Sequence, residues 1–385
     1  MTDRNVTITV TDDGTNTGTA DSADHKVDTV DPAPTQANIA TDGANGDDGS
    51  FVDTDVVRAV WDNSAATGDN QTDLAASDPV SVDFSEFGGD AAVVAVDDGS
   101  TPVAGCTDDA SGDDKWTACA DVDGAREVAD ANVVVTTTDD AGNTGAADGA
   151  DQDVDTIAPT VTAGNITVTN ATDDGAPFQD GDVAKIEWDD SAGGDNNADT
   201  LSARTVDLSD FGGAASVNLA DDDGNDSGAC TDTAAGDGKW TACVTLGGTI
   251  DVTDAVATVS ATDDAGNVTT TSSADQVVDT VDPAPTQANI ALSGQGGTND
   301  TFVTGDTVTV VWDASAATGD DIADVDSVAV DLSEFGGGAA VAAVDDGTGQ
   351  DVAADDDKWT ASAALNLPGE DLTDRNVTLT VTDNA

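Results

Sequence analysis

The sequence has no tyrosine, one methionine, one histidine (His25) and ten lysines and arginines against 78 aspartates and glutamates in 385 residues. Each scarcity removes a class of function. A single histidine cannot build a transition-metal site, and the positions matching His25 in later copies of the repeat described below hold Gln152 and Gln276. So few cations, at a formal net charge of -68, leave no basic face for nucleic acid or an anionic membrane. No apolar run approaches the ~18 residues of a membrane span, and Met1 is followed by Thr2, Asp3 and Arg4, not by an apolar export signal. Glycine-rich phosphate loops and nucleophile elbows are missing too, and nothing marks one of the many carboxylate pairs as held in an apolar pocket with separated pKa values. The chain is expected not to be an enzyme, and cations are its natural small partners.

The acidity is almost all aspartate, since glutamate occurs only at positions 86, 127, 187, 334 and 370. Charges interact over about 10 Å at ~0.1 M salt and over about 3 Å at ~1 M, so molar salt is expected to relax the self-repulsion. This composition resembles that of proteins from extreme halophiles, in a haloarchaeal-like version. A chain this acidic can also be disordered. Against disorder stands the ordered placement of its apolar residues.

Three copies of one unit account for most of the length. Val27-Asp-Thr-Val-Asp-Pro32 recurs as Val154-Asp-Thr-Ile-Ala-Pro159 and Val278-Asp-Thr-Val-Asp-Pro283, and Trp61-Asp62 as Trp188-Asp189 and Trp312-Asp313. Phe87-Gly-Gly returns at Phe211 and Phe335, and Lys115-Trp116-Thr117 at Lys239 and Lys358. The expected domains are 27–152, 153–276 and 277–385, preceded at 1–26 by the C-terminal hairpin of a truncated copy. The last copy is expected to lack its final strand. Thr2–Asp12 matches Thr373–Asp383, so the start reads as an arbitrary point in a longer gene, or as a hairpin that completes the last domain of another molecule.

Period-two alternation, as in Val6, Ile8 and Val10 or Val308, Val310 and Trp312, predicts strands, and Gly, Asp and Asn clusters punctuate them. In the second copy strands are expected at about 159–169 (A), 181–189 (B), 203–208 (C), 214–220 (D), 238–246 (E), 254–262 (F) and 271–278 (G). The fold class is therefore all-β: tandem immunoglobulin-like sandwiches of about seven antiparallel strands, arranged as an extended rod. Trp61, Trp188 and Trp312 are expected in the cores with the three phenylalanines. Trp116, Trp240 and Trp359 are either core residues or partly exposed sugar-stacking platforms.

Val-Asp-Thr-x-x-Pro at the head of each unit, with Thr138-Asp-Asp-Ala-Gly-Asn143 and Thr262-Asp-Asp-Ala-Gly-Asn267 near its end, resembles the bacterial Ig-like repeats of large surface adhesins. In several such adhesins junction aspartates bind Ca²⁺ and stiffen the rod, which the resemblance implies here. The N-terminal hairpin departs from the pattern, reading Thr11-Asp-Asp-Gly-Thr-Asn16.

Sandwich topology brings the start of strand A and the BC and FG loops to one end. The candidate calcium ligands there are Asp28, Asp62, Asp69, Asp73, Asp139 and Asp140 in the first copy. Asp155, Asp189, Asp190, Asp195, Asp199, Asp263 and Asp264 are those of the second, and Asp279, Asp313, Asp320, Asp324 and Asp383 those of the third. Clustered carboxylates suit a hard cation with six to eight oxygen ligands. The same Asp-Asp-Ala-Gly-Asn is also a tight hairpin turn, which is compatible with ligation.

Cys106 and Cys119, and Cys230 and Cys243, stand at equivalent positions in two copies, and in the third both are replaced, by Gly349 and Ser362. Joint loss is what a disulfide predicts, although buried free thiols would fit the count; a disulfide implies an oxidising, extracellular location. Asn-x-Ser/Thr occurs at Asn5, Asn70, Asn165, Asn170, Asn225, Asn267, Asn299 and Asn376 as candidate glycosylation sites. The functions left open are a structural spacer of a surface protein, a module binding glycans or proteins of neighbouring cells, and an accessory domain of a secreted hydrolase.

Overall fold

The computed structural model describes residues 2–101, 105–172, 177–221, 225–227, 230–231, 234–322, 325–367, 369 and 373–383, with the backbone alone at 2, 3, 225–227 and 231. Every regular element among them is a strand or a three-residue 3₁₀ turn, and the strand pairings between neighbouring strands are antiparallel. By proximity the chain forms two compact units, Met1–Thr162 with Asp190–Thr205 and Val259–Thr271, and Ala163–Asp189 with Val206–Thr258 and Ser272–Ala385. The first copy lies wholly in the former unit and the third wholly in the latter.

In the first copy, Ile39–Asp42, Val56–Asp62 and Lys115–Asp121 form one sheet. Thr144–Asp148, Val134–Thr138, Val80–Asp83 and Val93–Val94 form another. Alternation is what makes Val56–Asp62 a strand with one inner face: Val57, Ala59 and Trp61 are buried and their neighbours half-buried. Trp61 stands opposite Trp116 in the ladder, and both pack with Val82, Phe84, Phe87 and Val135 in one apolar cluster. The third copy repeats the pattern around Trp312, opposite Trp359, with Val310, Leu332 and Phe335. Lys115–Asp121 and Lys358–Ala364 thus place the second tryptophan of these two copies against its core, half-buried.

The Gly-Gly after each phenylalanine has a steric reason. Gly88 has φ 95°, and a Cβ there would lie 2.2 Å from the Asp123 carbonyl oxygen; Gly336 has φ 79° and would meet the Asn366 carbonyl at 2.5 Å. Only glycine lets the 3₁₀ turns at 85–87 and 333–335 end in this left-handed conformation and seat the phenylalanine inward.

The all-β sandwich expectation holds, with three local differences in the second copy. Strand A is shortened to Ile166–Asn170 by the 3₁₀ turn Ala163–Asn165, which occupies part of the expected segment. The strand expected as D shrinks to Val217–Asn218 and stands at the edge of the sheet Val217–Asn218, Leu201–Asp207, Thr258–Asp263, Val268–Ser272, beside strand C. Strand G is broken in two: Val268–Ser272 pairs beside Thr258–Asp263, and Gln276–Asp279 leaves that sheet to pair with Asp251–Ala255, a strand absent from the sequence reading. The first copy has the same arrangement, with Gln152–Asp155 on Glu127–Ala131.

At the N-terminus, Thr7–Thr11 pairs with Thr17–Asp21 and Thr2–Arg4 with His25–Val27. This hairpin is solvent-exposed on both faces: Val6, Ile8 and Val10 are 66, 62 and 64% exposed.

Candidate metal centres

The strand Val134–Thr138 runs straight into Asp139, whose carboxylate accepts hydrogen bonds from the backbone N–H of Ala141 (2.9 Å) and Asn143 (2.8 Å) and from Asn143 Nδ2 (2.8 Å). The Asp-Asp-Ala-Gly-Asn segment is therefore a hairpin turn, with Gly142 at φ 92°. Burial pushes the Asp139 carboxyl upward, but the Asn143 and Ala141 bonds outweigh it and hold the group below its ordinary range. Beside it lie Asp28, just past the strand His25–Val27, and Asp73, whose carbonyl accepts the Asp140 N–H at 2.8 Å. One carboxylate oxygen from each of Asp28, Asp73 and Asp139 lies within 4.8 Å of the other two. Asp28 Oδ1 takes the Val30 N–H at 3.1 Å, while its Oδ2 is buried without a hydrogen-bond partner. A buried carboxylate oxygen lacking a donor is costly, and a cation is one remedy.

In the second copy one carboxylate oxygen from each of Asp155, Asp199 and Asp263 likewise lies within 4.8 Å of the other two. Asp263 is fully buried and is fixed as the matching turn residue by the N–H (2.7 Å) and Nδ2 (3.1 Å) of Asn267. Asn267 Nδ2 also reaches the carbonyl of Asp155 at 3.2 Å, tying the FG turn to the segment that enters the copy. Burial, then the neighbouring Asp263, Asp199 and Glu127, push the Asp155 carboxyl up to about 6. Asp199 is raised as well, by burial and by Glu127, Asp264 and Asp263. Like charges this close disfavour one another's ionisation. Glu127 stands opposite Asp155 in the ladder at the end of the first copy. It was invisible to the sequence reading, which sought ligands inside one copy; the signal was its equivalence to Asp251, opposite Asp279. Close by, the Asp47 N–H of the first copy donates to the Ala265 carbonyl of the second at 3.0 Å.

In the third copy Asp279 is buried and faces Asp251, and a cavity of about 580 Å³ beside them is lined by Asp320, Asp321 and Ile322. Asp383 ends the strand Thr378–Asp383, and Asp324 lies outside the described residues.

The remaining candidates are engaged in other networks. Asp69 accepts hydrogen bonds from Trp61 Nε1 (2.7 Å), Thr35 N (2.9 Å), Thr35 Oγ1 (2.6 Å) and Asn38 Nδ2 (2.6 Å). Asp320 repeats this with Trp312 (2.6 Å), Thr286 and Asn289. Burial works against the Asp320 charge, but those donors pull its carboxyl down to about 2. Asp195 takes the N–H and hydroxyl of Thr162 at 3.0 and 2.7 Å. Asp62 and Asp313 bind the loop after their strands through Ser64 and Thr67, and Ser315 and Thr318, and Asp313 pairs with Lys358 at 2.8 Å. Asp189 stands 3.8 Å from Lys239, and Asp190 accepts the Asn197 N–H at 2.9 Å. Asp140 is exposed and Asp264 half-buried, each next to its triad.

A third triad joins Asp345, Asp351 and Asp356, all in the loop before Lys358 of the third copy. Asp351 is buried, accepting the Gly347 N–H at 2.6 Å and the Thr360 hydroxyl at 3.4 Å. In the first copy the same loop is closed by the Cys106–Cys119 disulfide, and in the second by Cys230–Cys243. Of the candidate glycosylation residues, Asn5, Asn70, Asn299 and Asn376 are exposed and Asn165 is half-buried. Asn170 Nδ2 is bound to Asp182 at 2.7 Å and Asn267 lies in the turn above; the Asn225 side chain lies outside the described residues.

No family profile and no curated protein matches this sequence. Among solved structures, the chain is similar to a Ca²⁺-stabilised adhesin that helps an Antarctic bacterium reach out and bind ice, at 20% identity and a TM-score of 0.32 over 94% of this chain and 73% of that one. It is also similar to a tetra-tandem repeat in the extending region of a large adhesion protein, at 15% identity and a TM-score of 0.26 over 99% and 78% of the two chains. A third similar structure belongs to a 1.5-MDa bacterial ice-binding adhesin, at 16% identity and a TM-score of 0.26 over 85% and 86%.

Proposed function

We propose that this chain is a non-enzymatic spacer segment of a secreted, adhesin-type surface protein, whose copies are joined through divalent-cation sites. The sites are Asp28, Asp73 and Asp139 at the head of the first copy and Asp155, Asp199 and Asp263, with Glu127, at the head of the second. By the repeat, Asp279, Asp324 and Asp383 are the matching residues of the third copy.

The observation that carries this reading is the convergence of carboxylates from three different stretches of chain on one point, close enough that Asp155 resists ionisation up to about pH 6. The donor set fits calcium. Two oxygens sharing an ion at about 2.3–2.6 Å stand at most about 4.6–5.2 Å apart, a span that oxygens lying within 4.8 Å of one another can meet, and an all-oxygen anionic set suits a hard cation. Because the ligands come from the segment entering a copy and from two loops of that copy, with Glu127 added from the copy before, an ion there would restrain the joint. The disulfides support an oxidising, extracellular setting. Of the sugar-stacking candidates, Trp116 and Trp359 are half-buried against their cores and Trp240 is half-buried too, which favours a spacer over a glycan-binding platform.

Calorimetry on the decalcified chain in molar NaCl tests the reading. Adding Ca²⁺ should raise the unfolding midpoint by mass action, and the double variant Asp155→Asn, Asp199→Asn should lose much of the rise. A midpoint indifferent to Ca²⁺ and to chelator would remove the cation-joined spacer.

A further inference from the structure

The Asp-Asp-Ala-Gly-Asn turn occurs twice with the same residues in two different surroundings. In the first copy Ala141 at its tip is exposed, whereas its counterpart in the second, Ala265, is 2% exposed. A turn of this sequence does not bury its own tip. The element that meets Ala265 is the loop of the first copy between the strands Ile39–Asp42 and Val56–Asp62. Its Asp47 N–H donates to the Ala265 carbonyl at 3.0 Å. A Cβ on Gly46 would lie 3.2 Å from that same carbonyl oxygen, and one on Gly266 would lie 3.3 Å from Asp47 Oδ2, so loop and turn approach each other at their glycines.

The first copy sets this loop for the contact. Buried Asp55 accepts the N–H groups of Asn45 and Val52, each at 3.0 Å, and Asn45 Nδ2 at 2.6 Å. The Gly46 N–H donates to the Ser50 carbonyl at 3.0 Å and the Gly49 N–H to the Gly46 carbonyl at 2.9 Å. A loop whose polar groups are already paired gives up little freedom when it docks. Its far end is fastened to the linker between the copies, since Phe51 donates to the Asp153 carbonyl at 2.8 Å and accepts the Asp155 N–H at 2.9 Å. The next linker residue is gripped by the first copy as well: Thr156 gives its N–H to the Arg126 carbonyl at 2.8 Å, and its hydroxyl accepts the Arg126 N–H at 2.8 Å and donates to the Gly124 carbonyl at 2.6 Å. As far as Thr156 the linker therefore moves with the first copy. From the second copy Asn267 Nδ2 reaches back to the Asp155 carbonyl, so loop, linker and FG turn close a ring.

We infer that the loop 43–50 of the first copy is a brace, which docks on the FG turn of the copy after it and keeps the head of the second copy seated on the first with or without a cation. It serves the spacer proposed above but needs no ion. Both hydrogen bonds across the joint end on backbone carbonyls, of Ala265 and of Asp155, so neither is lost when the carboxylates of Asp155, Asp199 and Asp263 stand bare. Those bare carboxylates repel one another, and molar salt screens the repulsion that the brace has to resist.

Pulsed electron–electron double resonance in molar NaCl with EDTA reads the joint, using spin labels on Ser85→Cys in the first copy and Thr270→Cys in the second; both positions are exposed, and the native cysteines are closed in disulfides. EDTA removes divalent ions from every sample, so failure of the cation sites leaves this readout untouched. The parent should give one narrow distance. Gly46→Val, which crowds the loop against Ala265, and Ala265→Gln, which forces a longer side chain beneath the loop, should each lose it. Ala141→Gln, the same turn position in the first copy, should keep it. Near-UV circular dichroism checks that the copies stay folded, and Ala265→Gln leaves the loop's own bonds in place, so it decides the matter even where Gly46→Val unravels the loop. A parent whose distance is broad in EDTA overturns the inference, as does an Ala265→Gln variant as narrow as the parent or an Ala141→Gln variant that broadens as much.

Discussion

The first two copies and the third share a core but differ in how their edges are held. Each of the first two closes the loop before its second tryptophan with a disulfide and covers its inner phenylalanine with a returning strand. Among its described residues the third has Gly349 and Ser362 in place of the cysteines and no strand along Phe302. It retains the Trp312–Trp359 pair, the Phe302–Phe335 contact and the Asp320 network unchanged in kind. The common features are therefore those that make the sandwich, and the disulfide is an addition that two copies carry and the third does without.

Removing a shared tryptophan should have the largest effect. Trp61→Ala and Trp312→Ala each delete a fully buried ring and should cost about 3–5 kcal/mol. The disulfide-free third copy should unfold at room temperature while the first survives, as read by denaturant titration followed by near-UV circular dichroism. Next, replacing Cys106 and Cys119 with serine should destabilise the first copy by about 3 kcal/mol in the chain-entropy account, bringing its transition toward that of the third. Equal midpoints before and after the change would mean that the disulfide does not set the contrast. Asp320→Ala and Asp69→Ala should each cost about 1.5–3 kcal/mol, since a buried indole N–H and a threonine N–H lose a charged acceptor. That penalty should be the same in both copies.

The smallest effects concern pH, and here the regions should diverge in sign. Asp155 holds its proton more tightly folded than unfolded, so without a divalent cation stability should fall as pH rises from about 4 to 6. Calcium affinity should rise over the same window, because the ion displaces that proton. Asp320 is the opposite case, its carboxyl depressed to about 2, so its contribution is complete above about pH 4 and disappears as pH falls toward 2. Titration calorimetry at several pH values, with Asp155→Asn as control, separates the two.

Much of this fold was legible because its signals are local. Period-two runs ending in tryptophan mark the central strands, and Phe-Gly-Gly marks a turn that only glycine can close. The breaks in strands A and G were not legible, since leaving one sheet for another depends on a partner about 25 residues away, as Gln276–Asp279 depends on Asp251–Ala255. Among the aspartates, neighbouring sequence cannot tell Asp69, which accepts an indole N–H, from Asp73, four residues on, which faces Asp28 and Asp139. Where aspartate is the commonest polar residue, only the folded path separates structural acceptors from clustered ones. The triad in the third copy's loop was hidden for the same reason, although the missing cysteines marked the loop as different.

The bond between Asp69 and Trp61 has a mechanical corollary. The same carboxylate oxygen holds the Thr35 N–H, three residues beyond the entering Pro32, and the indole at the centre of the core. Tension arriving along the backbone from the N-terminal side meets this anchor before it can peel the first strand away. In single-molecule pulling, the height of the unfolding force peak should therefore report on one side-chain acceptor, and Asp69→Ala should lower it more than its effect on equilibrium stability suggests.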